Sequence, residues 1–182
     1  MNHPSAGLTD YGSHFPILAG LVAYSVRTPR VLELGCGSYS TPLLHMLAKS
    51  MGGHVVSADS DAAWLSEYDD LREEWHELHH VPDWSSWDRI DEDGWDVAFV
   101  DHAPGERRPA DILRLKNRAR FIVVHDTEDE PGPRHSPCWR TAAKSGGNYG
   151  YGPAFAEFAH VWHWGRFRPD TTVLSNFEAC PL

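Results

Sequence analysis

Val31-Leu32-Glu33-Leu34-Gly35-Cys36-Gly37-Ser38, continued by Tyr39-Ser40-Thr41, reads as a buried strand that runs into a glycine turn and then a helix. Glycine has no Cβ, so the backbone at Gly35 and Gly37 can be approached closely by a ligand. In open α/β sheets, ligands sit in the crevice beyond the carboxyl ends of the strands. Ser40 or Thr41 is placed to cap the following helix, with Pro42 in its first turn. Gly52-Gly53 is expected to stop it.

Further apolar runs lie downstream, at residues 54–58, 95–100 and 119–124, with a shorter one at 78–81 before Pro82. Runs of this kind suit parallel strands covered on both faces. Helical patterns separate them: 15–26, about 61–75 and 109–115. In the second of these, Trp64, Tyr68, Leu71 and Trp75 recur at intervals of four, three and four and predict one buried face. Two last strands, 159–164 and 171–176, are joined by a connection short enough for an antiparallel hairpin. Trp162 and Trp164 share a strand face and are expected to pack, while His160 and His163 face opposite sides as packing or surface residues. The expected fold is therefore a three-layer α/β sandwich: a doubly wound, mostly parallel seven-stranded sheet with an antiparallel C-terminal hairpin.

The 182 residues suit one domain over 1–182, with a leader at 1–14. Residues 127–153 are rich in proline and glycine and read as a lid or substrate loop. The net charge of -10 argues against a nucleic-acid phosphate partner. Three cysteines without a close pair make neither a disulfide framework nor a zinc site, and a reducing cytoplasm is the expected compartment. The start of the chain does not read as a signal peptide, and no apolar run is long enough to span a bilayer.

The strand at 54–58 ends in Asp59, 24 positions after Gly35, where a carboxylate can accept from a ribose diol. A dinucleotide site shows GxGxxG; here the third glycine is replaced by Ser40. Glu33 beside the turn is unfavourable for a pyrophosphate and suits a cationic ligand.

Glu33-Leu34-Gly35-Cys36-Gly37-Ser38 resembles motif I of the class I S-adenosylmethionine-dependent methyltransferases. Val55-Val56-Ser57-Ala58-Asp59 is similar to their second motif, and the run from Trp95 to Asp101 to their fourth. The resemblance covers the chain from Phe15 onward, and the closing hairpin belongs to it. It implies that Gly35, Gly37 and Ser38 approach the methionine part of S-adenosylmethionine. Glu33 would act near its amino group, Asp59 on the ribose, Asp83 or Trp84 beside the adenine, and Asp101 at the mouth of the crevice.

Two further clusters follow the fourth and fifth strands: Asp101-His102 with Arg107 and Arg108, and His125-Asp126-Thr127-Glu128-Asp129. Neighbouring parallel strands bring them together, which places Asp101, His102, His125 and Asp126 at the acceptor side. Three readings stay open for them. Asp101 and Asp126 offer hard oxygen ligands for Mg2+, as in metal-dependent O-methyltransferases, although His125 stands where those relatives often carry an acid. His102 or His125 could instead be a metal-free base. The third reading is that the groups simply pair with Arg107 or Arg108.

The implied activity is methyl transfer to a small molecule at a hydroxyl oxygen, with a homodimer left open. Tyr11, His14, Arg134, Trp139, Tyr149 and Tyr151 are candidate substrate walls. A non-catalytic cofactor-binding or partner module and an NAD-dependent oxidoreductase are the competing functions. His76, His79 and His80 form a short histidine tract whose side chains should diverge rather than converge on a metal.

Overall fold

A computed structural model describes residues 12–25, 28–127 and 149–182. Seven strands form one sheet: β1 (Arg30–Leu34), β2 (His54–Asp59), β3 (His76–His80), β4 (Trp95–Val100), β5 (Ala119–His125), β6 (His160–Trp164) and β7 (Thr171–Ser175). Their order is β3-β2-β1-β4-β5-β7-β6. The first five pair in parallel, and β7 runs antiparallel to both β5 and β6. The chain moves outward from β1 through β2 to β3, then returns to place β4 on the other side of β1. That reversal opens a crevice at the carboxyl ends of β1 and β4.

Two apolar layers make the sheet strands read as continuous hydrophobic runs. Helices α1 (Phe15–Tyr24) and α2 (Ser40–Met51) cover one face. Ile17, Leu18, Leu21, Leu43 and Leu44 pack there on Val31, Val55, Val97, Phe99 and Phe121. The other face is covered by α4 (Arg108–Leu115) and α5 (Gly152–Phe155). Ile112, Leu115 and Phe155 meet Leu32, Val56, Ala98, Val100 and Ile122 on that side. The alternation along β1 puts Glu33 on the α1/α2 face, the same side as Val31. The hairpin is present, with Trp162 and Trp164 stacked at a centroid distance of 5.6 Å. No helix among the described residues is long and apolar enough to cross a membrane.

Two expectations differ from the structure. The long helix over 61–75 is absent. A short α3 (Ala62–Ser66), capped by the Asp61 carboxylate on the amides of Ala63 and Trp64, gives way to a 3-10 turn at Asp69–Leu71. The chain beyond makes a tight turn between Glu73 and His76 and enters β3, because β2 needs a partner: the Val55 amide donates to the Trp75 carbonyl at 2.8 Å. Pairing of the sheet overrides the local helical period, and β3 begins two residues earlier than the apolar run suggested. The start of α2 differs as well. Its N-cap is Tyr39, with no side-chain cap, and the Thr41 hydroxyl is used elsewhere. Gly52 does end the helix, at φ 65° in the left-handed region. Within the segment 127–153, residues 128–148 lie outside the described residues, as do the candidate walls Tyr11, Arg134 and Trp139.

Candidate functional site

The turn after β1 is held from behind and from both sides. Gly35 has φ 94°, and a Cβ there would lie 2.7 Å from the Asp101 carbonyl carbon and the His102 nitrogen. What approaches Gly35 is thus the end of β4, not open space for a ligand. The next residue is tied at both its backbone groups. The Cys36 amide donates to Asp59 Oδ2 at 2.9 Å, and the Trp64 indole donates to the Cys36 carbonyl at 2.7 Å. The Gly37 amide donates to Thr41 Oγ1, which in turn donates to Glu33 Oε1. Asp59 also accepts from the Asp61 amide at 2.8 Å.

Glu33 is fully buried under the turn. Its other oxygen accepts from Ser57 at 2.6 Å, and Ser57 lies 2.9 Å from His76 Nε2. Burial drives the Glu33 carboxyl up to about 7, against the lowering effect of hydrogen bonds from Ser40, Ser57 and Thr41. Glu33 therefore shapes the turn through Thr41 and does not line the cavity in front of it. His76, His79 and His80 diverge along β3: His76 is buried on Ser57, His79 pairs with Glu77, and His80 is exposed.

The second half of the site comes from the ends of β4 and β5. His125 Nδ1 lies 3.1 Å from Asp101 Oδ2 and 3.5 Å from Asp126 Oδ1. Asp126 has φ 58°, a left-handed conformation that turns the chain away from β5. Arg108, from the start of α4, reaches between the two acids: Nη2 is 3.0 Å from Asp101 Oδ1 and Nη1 is 3.1 Å from Asp126 Oδ2. It also donates to the carbonyls of Asp101 and His102. Burial disfavours charge on His125, but the Asp101 carboxylate and its hydrogen bond outweigh this and raise its pKa. Asp101 is likewise opposed by burial and yet lowered by His125 and Arg108.

These groups face a cavity of about 440 Å³ lined by His14, Cys36, Gly37, Ser38, Tyr39, Ser40, Trp64, Asp101, His125, Asp126 and Pro169. The volume lies in the ordinary range for a small-molecule site. The cavity brings together six sequence-predicted residues: His14, Gly37, Ser38, Asp101, His125 and Asp126. His102 is not among them. It is buried with Nε2 3.1 Å from Asp111, against the Trp84 ring at 4.4 Å, so it faces α4 and not an acceptor. Trp84 is buried too, its indole donating to the Ala103 carbonyl. Asp83 is exposed and accepts from Ser85.

The Asp101/Asp126 pair is not arranged as a magnesium site. The fixed guanidinium of Arg108 occupies the position between the two carboxylates that a dication would take, which disfavours Mg2+ there. Tyr151 sits beside Arg108, buried, at 3.4 Å, and Tyr149 stacks over the same guanidinium. The cavity wall that sequence reasoning underused is His14, expected only as a wall residue. It packs on Phe99 at 4.6 Å and edge-on to His125 at 4.7 Å. Burial and the neighbouring His125 hold its pKa down to about 3. Trp64 and Pro169, from distant segments, carried no sequence signal for this cavity.

No protein-family model matches the chain, and no curated protein matches it. Solved structures do. The METTL16 methyltransferase domain superposes with a TM-score of 0.55 at 18% identity, over 91% of this chain and 67% of that one. The SAH-bound methyltransferase PaMTH1 of Podospora anserina gives 0.57 at 12% identity, over 87% and 77%. The human methyltransferase 10 domain containing protein gives 0.55 at 16% identity, over 97% and 85%. The chain has the class I methyltransferase fold. The glycine turn after β1 and the ends of β4 and β5 flank the cavity just described.

Proposed function

We propose that this chain transfers a methyl group from S-adenosylmethionine to a hydroxyl oxygen of a small-molecule acceptor. The observation that carries the reading is a single cavity with the glycine turn at one end and Asp101, His125 and Asp126 at the other, at the switch point of a methyltransferase fold. The cofactor would supply an activated methyl on a positively charged sulfur. Gly37 to Ser40, at the amino end of the 12-residue α2, suit the carboxylate of its methionine part. Asp101 lies across the cavity as the counter-charge for a cation. Asp59 keeps lone pairs beyond those used by Cys36 and Asp61, and these suit ribose hydroxyls.

Methyl transfer depends mainly on alignment of the nucleophile with the methyl group. The His14–Asp101–His125 corner is where the acceptor oxygen would be held. A small acceptor is favoured over RNA by the net charge of -10. Calorimetry with S-adenosylhomocysteine and with NAD, followed by labelled-methyl transfer to a panel of hydroxylated acceptors, tests the reading. Turnover with a hydroxylated acceptor supports it. Tight S-adenosylhomocysteine binding without turnover would point to a non-catalytic module, and binding of NAD alone would overturn the assignment.

A further inference from the structure

His14, Asp101 and His125 offer two imidazole nitrogens and one carboxylate oxygen, all within 4.8 Å of one another. They come from three places that only the fold joins: the residue before α1, the end of β4 and the end of β5. His14 is 3% exposed, and among the described residues neither of its ring nitrogens has a hydrogen-bond partner. A buried imidazole left without partners is costly unless something else meets it. Its ring lines the cavity.

The hydrogen bonds around His125 point the same way. Ser13 donates its hydroxyl proton to the Pro169 carbonyl, so its oxygen is left to accept from His125 Nε2 at 3.0 Å. With Nε2 donating to Ser13, Nδ1 faces Asp101 Oδ2, 3.1 Å away. That contact is met by a proton on Nδ1 or by a bound cation. The unpartnered His14 ring stands at the same spot.

From this geometry we infer that His14, Asp101 and His125 bind a first-row divalent transition metal ion, with the remaining coordination positions open to the cavity. Imidazole suits zinc, iron, cobalt or nickel better than magnesium or calcium, and two histidines with one carboxylate leave room for water or substrate. The surroundings resemble an outer shell: Ser13 orients His125, and Arg108 holds the other oxygen of Asp101. This site shares Asp101 with the Asp101/Asp126 pair but takes its other ligands from His14 and His125. It goes beyond the methyltransferase reading and does not depend on it.

The test uses the full chain, purified without a histidine tag and stripped with chelator. It is titrated with Co2+ by visible absorption and with Zn2+ by calorimetry. One ion per chain with a cobalt d–d spectrum is expected. His14→Ala and His14→Gln should each lose that spectrum while melting cooperatively, and Ser13→Ala should bind roughly tenfold more weakly or worse. His160→Ala, on the exposed β6, should bind as the parent does. Absence of one-to-one binding in the parent, or unchanged cobalt binding in a folded His14 variant, overturns the site. S-adenosylhomocysteine binding by the same samples is read separately, so loss of the metal claim leaves the cofactor claim standing, and the reverse.

Discussion

Glu33 shows at the scale of one residue how a buried acid couples the turn to pH. Below its ordinary value of 4.5 it is protonated in both folded and unfolded chains. As pH rises the unfolded chain ionises first, while the folded carboxyl keeps its proton up to about 7. The folded state binds more protons across that interval, so stability falls as pH climbs through it. The penalty reaches roughly 3 kcal/mol above the interval. Glu33→Gln removes it. Urea unfolding at about pH 4.5 and about pH 8 should show a smaller loss of stability in the variant than in the parent. Equal slopes would mean that Glu33 is ionised in the folded chain throughout. Gly35 fails for a different cause. Gly35→Ala forces a side chain into the left-handed region and against the backbone of Asp101 and His102. A loss of about 2–4 kcal/mol is expected, read as a lower denaturant midpoint with an unchanged slope.

Arg108 acts between elements, joining the start of α4 to the ends of β4 and β5. Arg108→Met removes the buried guanidinium that joins two half-buried carboxylates. A loss of about 1–3 kcal/mol follows from leaving these half-buried charges with His125 alone. Its thermal melt should drop well below that of Arg118→Met, whose arginine pairs only at the exposed surface. Elements were also where the sequence was most legible. β1, β4 and β5 announced themselves because both faces are covered and the apolar runs are unbroken. The meeting of Asp101 with His125 followed from adjacency of parallel strands. Residues 61–75 misled because their period is local, whereas the demand of β2 for a hydrogen-bonding neighbour is not. His14 stayed a mere wall residue for a related reason: it lies 87 and 111 positions from its two neighbours, and no spacing encodes that encounter.

The whole molecule answers to ligand through linkage. A ligand that binds only the folded chain stabilises it by about 2.7 kcal/mol at a hundred times its dissociation constant. S-adenosylhomocysteine should therefore raise the melting temperature in a concentration-dependent way, and Asp59→Ala should blunt that rise. A melt indifferent to S-adenosylhomocysteine would count against the cofactor site as a whole. The mostly parallel seven-stranded sheet and its closing hairpin were readable from strands, turns and motifs. The cavity was not, because Trp64, Pro169 and His14 reach it only after the sheet has closed around them.

The clamp on Cys36 has a kinetic corollary. With its amide held by Asp59, its carbonyl by Trp64 and the following amide by Thr41, the loop is already rigid before anything arrives. Little chain entropy remains to be surrendered on docking. Stopped-flow mixing with a fluorescent nucleoside should then give one exponential whose rate climbs linearly with ligand, without the plateau that a slow rearrangement would impose.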